Sequence, residues 1–377
     1  MATMARNTKG KSRRRIKNFD ADQSDRKLDQ SGATQESISE RGVKIPAHRL
    51  DAPHENLEAL PKVTGLAVGF YPGGAMVRRG TETLLCAIAK TFRAPEGSSP
   101  LAVGDEVTVA MTQDEHAGQA AQRDKDRTDG FIIAREPRRT LLARPQPMSA
   151  KRVEVYDGDL FLKVIAANMD VLMIVTAIRK PRLSLRLIDR FLIAAQRGEM
   201  EPILIVNKID LERPDAELRE QLAIRHIKIF ECSAESHEGL DALMAALAGR
   251  RTVLAGASGV GKSTIINALL PHANAATRLI RNKDNRGRHT TSAAVVYDIA
   301  DEGMIVDTPG IRELAMDIPA EELPWYFPEF EPYAGKCRFN NCTHTHEPDC
   351  AIIDAVEADD IPFDRYESYV RLLESME

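Results

Sequence analysis

At 377 residues the chain is long enough for two or three domains, each with its own core. Charged residues make up 28 % and hydrophobic ones 43 %, as in soluble globular proteins, and a net charge of −5 argues against a protein that coats nucleic acid uniformly. No run approaches the roughly 18 apolar residues of a membrane span, and the basic N-terminus lacks the apolar core of a secretion signal, so a cytoplasmic protein without membrane attachment is expected.

Residues 1–58 are polar, poor in aromatics and without sustained periodicity. Arg6, Lys9, Lys11, Arg13, Arg14, Arg15 and Lys17 place seven positive charges before the first acid, Asp20. Such an arm is expected to be disordered in isolation and suits either solubility or neutralisation of nucleic-acid phosphates.

From Lys62 to Arg144 short apolar runs are separated by turn residues. Val63–Phe70, Ala75–Arg78, Thr83–Phe92, Glu106–Met111 and Gly130–Arg135 each suit a strand, with breaks at Pro72-Gly73-Gly74, Pro95-Glu96-Gly97 and Gly104-Asp105. Five short strands in this length fit a small closed barrel of the OB kind, although other small barrels fit as well. Arg78, Arg79, Arg135, Arg138, Arg139 and Arg144 are expected to decorate its surface, which suggests a nucleic acid, RNA above DNA.

Strands and helices alternate after about Ser149. Asp170–Thr176 is a continuous apolar run suited to a buried parallel strand, and Leu187, Ile188, Phe191, Leu192 and Ala195 mark one face of a helix. Further strands are expected at Pro202–Val206, Ile227–Glu231, Thr252–Ala255, Ala294–Ile299 and Gly303–Val306, with a helix at Leu240, Leu243, Met244 and Leu247. Six strands with intervening helices indicate a doubly wound α/β sheet, with ligands at the carboxyl ends of its strands.

Those ends carry the chemistry. Gly256-Ala257-Ser258-Gly259-Val260-Gly261-Lys262-Ser263-Thr264 stands between a strand and a helix, the context a phosphate loop requires. Its glycines let backbone wrap a polyphosphate, Lys262 suits the β- and γ-phosphates, and the Ser263 hydroxyl suits Mg²⁺. Asn207-Lys208-Ile209-Asp210 follows another apolar strand. The Asp210 carboxylate can accept from the N1 and N2 donors of guanine, a donor pair that adenine lacks, so the reading is GTP. Asn207 would brace that loop, the stem of Lys208 would cover the base, and Ser233-Ala234 would add contacts to the guanine oxygen.

Asp307-Thr308-Pro309-Gly310 fits a second Mg²⁺ carboxylate, Asp307, and a backbone donor to the γ-phosphate, Gly310. The basic segment Thr277–Thr291 suits a switch in which Thr290 or Thr291 ligates Mg²⁺, and the sequence does not choose between them. Ile311 stands where a water-orienting glutamine often sits, which predicts slow intrinsic hydrolysis. His289 is either the internal substitute or a surface histidine. The base-reading loop precedes the phosphate loop, the reverse of most GTPases, so the six strands form a circular permutation.

Of five cysteines, three lie within residues 337–350, which suggests a metal cluster rather than a disulfide framework. Cys337, Cys342, His344 and Cys350 make a closed tetrahedral set for one structural zinc ion, with His346 the competing histidine. From Asp349 to Glu377 nine Asp and Glu face two Arg, and Tyr369, Val370, Leu372 and Leu373 mark a terminal amphipathic helix.

In the permuted order of Asn207–Asp210, Gly256–Thr264, Gly287-Arg288-His289-Thr290-Thr291 and Asp307–Gly310, followed by the cysteine cluster, the chain resembles the ribosome small-subunit-dependent GTPase A family over roughly residues 60–377. The resemblance implies a multidomain fold: an OB-like β-barrel, a circularly permuted α/β P-loop GTPase domain and a C-terminal, mainly α zinc-binding domain. On the residues above, these occupy 59–148, 149–318 and 319–377, after the arm of 1–58. It further implies a monomer that hydrolyses GTP to GDP on the small ribosomal subunit during late maturation, stimulated by that subunit and in contact with its rRNA. His289 matches the histidine proposed for catalysis in that family, and Ile311 its apolar residue; the long arm departs from it. The competing expectation is a non-ribosomal switch whose barrel and zinc domain hold a protein partner.

Overall fold

The structure, a computed structural model, describes residues 57–71, 74–93, 99–112, 128–146, 161–270, 294–308 and 318–376. Nearly all of the basic arm, His289, Thr290, Thr291, Gly310 and Ile311 lie outside these residues. Among the described residues no helix is long and apolar enough to cross a membrane.

Five strands, β1 (Lys62–Tyr71), β2 (Gly74–Arg79), β3 (Glu82–Ile88), β4 (Glu106–Met111) and β5 (Gly130–Arg135), close a barrel in the order β1-β2-β3-β5-β4. All neighbours run antiparallel except β3 and β5. Alternation builds it: Val107 and Val109 of β4 point inward onto Ala75, Val77, Cys86 and Ile132, while Glu106 and Thr108 point outward. This five-stranded closed ring matches the OB expectation. The third strand ends earlier than expected, at Ile88, because the chain turns there and the Phe92 amide donates to the Ala89 carbonyl at 3.0 Å.

Two of the expected surface arginines are interior. Arg135 and Arg138 keep 3 % and 5 % side-chain exposure around Asp105, which is wholly buried. Arg138 grips that carboxylate with Nε and Nη2 at 2.7 and 2.9 Å, so these cations brace the turn into β4 rather than face a ligand.

A hairpin absent from the sequence reading, β6 (Leu141–Gln146) and β7 (Phe161–Ala167), joins the barrel to the sheet. The Ala167 amide donates to the Val103 carbonyl at 2.8 Å, and Asn168 Nδ2 to the Gly104 carbonyl at 2.9 Å. At its other edge the Leu141 amide donates to the Gly198 carbonyl at 3.1 Å.

The sheet contains β8 (Val171–Ala177), β9 (Glu201–Asn207), β10 (Lys228–Glu231), β11 (Arg251–Ala255), β12 (Val295–Asp298) and β13 (Met304–Asp307), in the order β10-β9-β8-β11-β13-β12. Only β12 is antiparallel. Every residue of β8 is buried, as a strand covered on both faces requires. The period of two divides its side chains. Leu172 and Ile174 join one core with Ile188, Phe191 and Ala195 of α1 (Leu185–Arg197) and Leu222 of α2 (Ala216–Ala223). Val171, Met173 and Val175 join the opposite core with Leu240, Leu243 and Leu247 of α3 (Leu240–Leu247) and Ile265 and Ile266 of α4 (Lys262–Leu269). The phosphate-loop strand β11 therefore lies mid-sheet, between β8 and β13.

The C-terminal region begins with two 3-10 helices, Ala320–Tyr326 and Pro328–Tyr333. Pro324 and Pro332 lie inside them and lack the amide a longer α-helix would need. Next come α5 (Ala351–Glu357) and α6 (Phe363–Glu374), closing over Leu323, Phe327, Phe330 and Tyr369. Phe327 stacks on Phe330 and meets the edge of Tyr369, both with ring centroids 5.4 Å apart. Ile193 of α1 joins the same cluster and docks this region on the sheet's helical layer.

Candidate functional site

The phosphate loop leaves β11 through backbone that only glycine adopts without strain. Gly256 has φ of 135°, and a Cβ there would stand 2.2 Å from the Val175 carbonyl oxygen on the neighbouring strand. Gly261 has φ of 97°, and its Cβ would stand 2.4 Å from Asn207 Nδ2. Both glycines thus allow a neighbouring backbone or base-loop side chain to press against the loop. Lys262 Nζ donates to the carbonyls of Gly256 and Ala257, each at 2.8 Å, so the ammonium lies over the cradle instead of reaching into solvent. Ser263 and Thr264 are exposed on the first turn of α4, and Val260 is buried beneath. Exposed amides at a helix N-terminus, glycine backbone and a fixed lysine together suit a polyphosphate.

The base loop is tied to that cradle by Asn207, 1 % exposed at the end of β9. Its Nδ2 donates to the Val260 carbonyl at 2.9 Å, and its Oδ1 accepts from the Ala234 amide at 3.1 Å. One side chain therefore fixes three loops. Lys208, with φ of 65°, sends Nζ to the Gly259 carbonyl at 2.6 Å and the Lys180 carbonyl at 2.5 Å. Its stem is drawn across the mouth of the site. Ile209 is buried, whereas Asp210 is exposed and accepts from Ser233 Oγ at 2.5 Å, which orients the carboxylate with one oxygen left over. The Ser236 amide donates to Ser233 Oγ at 3.1 Å and orients the hydroxyl in turn.

Asp307 closes β13, and β13 pairs with β11 in register, Val306 opposite Val253. The strand ends bring Asp307 to the same edge as Ser263, an oxygen donor pair suited to a hard cation such as Mg²⁺. Beside them Thr308 Oγ1 is buried and, among the described residues, has no hydrogen-bond partner, an orphan polar atom such as a ligand or its water would satisfy. Three participants were absent from the sequence reading: the carbonyls of Val175 and Lys180, and the Thr308 hydroxyl. A carbonyl contact leaves no side-chain signal, so only Thr308, inside a motif already singled out, was findable.

In the C-terminal region the metal-binding atoms of Cys337, Cys342, His344 and Cys350 all lie within 4.8 Å of one another. Cys337 Sγ and Cys350 Sγ are 3.9 Å apart, and His344 Nδ1 is 3.5 and 3.4 Å from them. The edge of a tetrahedron with Zn–S bonds of 2.3 Å is about 3.8 Å, so the donors fit zinc, while the sulfurs are far too separated for a disulfide. Burial pushes the Cys342 thiol up to about 12 and the His344 imidazole down, and a bound cation would reverse the thiol's preference. His346 turns to Thr345 Oγ1 at 2.9 Å and lies outside that group of four.

The family profile described as RsgA GTPase matches residues 135–317. The small ribosomal subunit biogenesis GTPase RsgA of Sodalis glossinidius is 38 % identical over 274 residues, 71 % of this chain and 76 % of that protein. The protein of the same name from Yersinia enterocolitica is 40 % identical over 261 residues, 67 % and 71 % of the two chains. Among solved structures, YjeQ from Thermotoga maritima superposes with a TM-score of 0.61 at 29 % identity, covering 84 % of this chain and 98 % of that one. YloQ, described as a circularly permuted GTPase, shares the fold with a TM-score of 0.58 at 24 % identity, covering 86 % and 97 %.

Proposed function

The chain belongs to the RsgA family of GTPases, a GTP hydrolase of ribosome biogenesis, and from that premise we propose how its residues divide the work. The cleft at the carboxyl ends of β9, β11 and β13 holds GTP, with Asn207 to Asp210, Ser233 and Ala234 on the base and Gly256 to Thr264 on the phosphates. Mg²⁺ is held by Ser263 and Asp307, completed by Thr290 or Thr291 when γ-phosphate is present, with Gly310 as its backbone donor. The observation that carries this reading is the Asn207 side chain, whose 2.9 Å bond to the Val260 carbonyl locks base loop and phosphate loop into one receptor.

Hydrolysis at this cleft needs a positioned water, and Ile311 has no group to position it. We assign that task to His289, with the small subunit and its rRNA bringing the basic segment into place. The cysteine cluster takes structural zinc, leaves no open coordination position and supports the fold of residues 319–377 without chemistry of its own. The working form is a cytoplasmic monomer whose nucleotide state times its release from the subunit during late maturation. GTP turnover measured with and without purified small subunits tests the scheme. Stimulation of tenfold or more is expected. Equal rates, in protein that carries zinc and binds nucleotide, would overturn the part assigned to the subunit.

A further inference from the structure

The turn between Cys342 and Cys350 is built around one carboxylate. Half-buried Glu347 accepts through Oε1 from the Thr343 amide at 2.7 Å and the Thr343 hydroxyl at 2.6 Å. Through Oε2 it accepts from the Thr345 and His346 amides at 3.2 and 3.3 Å. Four donors fill the roughly four lone-pair positions of a carboxylate, which leaves Glu347 none for a cation. It lies inside the metal loop yet outside the group of four metal-binding residues. The same turn holds His344 at φ of 59°, a left-handed backbone that a residue with a Cβ seldom keeps unless its neighbours impose it. Glu347 takes the amides on either side of His344, and Tyr369 and Tyr366 donate to the carbonyls of Thr343 and His344 at 2.8 and 2.9 Å. His344 Nδ1 is thereby held 3.5 and 3.4 Å from the Cys337 and Cys350 sulfurs. His346, two residues on, has its amide on Glu347 and its ring Nδ1 2.9 Å from Thr345 Oγ1.

We propose that Glu347 is the positioning residue of this metal centre: by capping the turn it presents His344 as the fourth ligand and withholds His346. The two imidazoles are chemically equivalent donors, so the backbone that carries them decides which one reaches the cation. Three amides converging on one anion make that backbone stiff, and the anion itself is spent on them instead of competing with the thiolates. Outer groups that orient a ligand in this way contribute about 10- to 100-fold in metal affinity. This role rests on the zinc reading given above and adds what selects the ligand.

The experiment measures zinc affinity by competition with a chromophoric chelator on the full chain, in wild type, Glu347→Ala, Glu347→Gln, His344→Ala and His344→Ala/Glu347→Ala. Glu347→Ala should weaken zinc by roughly 10- to 100-fold. Glu347→Gln keeps the shape but sets an amino group against the amides of Thr345 and His346, and should weaken it as well. It also supplies the measurement if the alanine variant folds poorly. His344→Ala should lose more than either, because the cap still holds His346 away. Removing the cap in that variant should then raise affinity again by roughly tenfold, as the released turn lets His346 supply the missing imidazole. A residue that only stiffens the loop would make the two losses add, and that result would overturn the selection. Wild-type zinc affinity in both Glu347 variants would overturn the role altogether. Failure of the unsubstituted chain to bind zinc, with GDP affinity intact, would instead sink the zinc reading on which the role rests.

Discussion

Asp189 and Arg365 stand 176 positions apart in sequence and meet at 2.6 Å in the interior, α1 to α6. Asp189 also accepts from Arg225 at 2.8 and 3.0 Å and from Ser368 Oγ at 2.6 Å, filling the lone pairs of one buried carboxylate. Arg365 spends its remaining donors on Glu329, at 2.7 and 3.1 Å, and lies over the Phe327 ring at 4.6 Å. One and four residues along, Tyr366 and Tyr369 donate to the carbonyls of His344 and Thr343 at 2.9 and 2.8 Å, so the metal loop hangs from the same helix.

Removing that carboxylate leaves two guanidiniums buried without their shared anion. Breaking a buried pair in this way costs about 3–5 kcal/mol. Asp189→Ala should therefore lower stability by that amount in denaturant unfolding, and the fluorescence of Trp325, the only tryptophan in the chain, should report the C-terminal region loosening first. Equal stability in the variant would mean that the apolar contacts of Ile193 and Phe327 hold the two regions together by themselves.

Gly261→Ala should act on nucleotide, not on folding of the sheet. Its Cβ would stand 2.4 Å from Asn207 Nδ2, and φ of 97° is strained for alanine, so the bond from Asn207 to the Val260 carbonyl must yield. Since that bond joins base loop and phosphate loop, we expect guanine-nucleotide affinity to fall more than tenfold by equilibrium titration. Gly80→Ala is the control: its φ is also positive, at 57°, but nothing lies within 4 Å, and it should leave affinity unchanged.

Asp210→Asn should exchange a double acceptor for an amide that offers donors, and xanthine, whose edge carries an oxygen where guanine has an amino group, then becomes the better partner. Competition binding with GDP and XDP should show the preference reversed. Ser233→Ala removes the hydroxyl that orients Asp210 at 2.5 Å and should weaken GDP without reversing the preference. Unchanged selectivity in Asp210→Asn would place the base elsewhere.

How much of this was legible beforehand depended on whether a residue's task shows in its side chain. β8 was legible because a strand buried on both faces is continuously apolar, and the positions of the loops at Asn207–Asp210 and Gly256–Thr264 were legible because each follows such an apolar strand. The hairpin β6–β7 was not. Its first strand is Leu-Leu-Ala-Arg-Pro-Gln, with a proline and an arginine, and its partner begins 15 positions further on, too far for a turn signal. Arg135 and Arg138 misled for a related reason: composition makes arginine a surface residue, and only the fold shows Asp105 waiting inside. The Asp189 cluster joins four distant segments, and no local pattern encodes such a meeting.

Cys350 gives the sharpest test of the metal. It is buried, caps α5 by position and faces Cys337 at 3.9 Å and His344 at 3.4 Å. Thiols bind a cation in the deprotonated form, yet burial here raises the pKa of Cys342 to about 12 and that of Cys350 as well, so without metal both are protonated at neutral pH. Binding must then release protons, and affinity should fall as pH falls, because acid returns the protons that the cation displaced. Elemental analysis should find one zinc per chain in the wild type and less than a tenth of that in Cys350→Ser. A dye titration from pH 8 to pH 5 should show zinc released on the acid side. GDP affinity should survive in Cys350→Ser, since the cleft draws no residue from 318–376, while the protease resistance of that region should be lost. Full zinc content in the variant would show that His346 or a residue beyond the cluster completes the site.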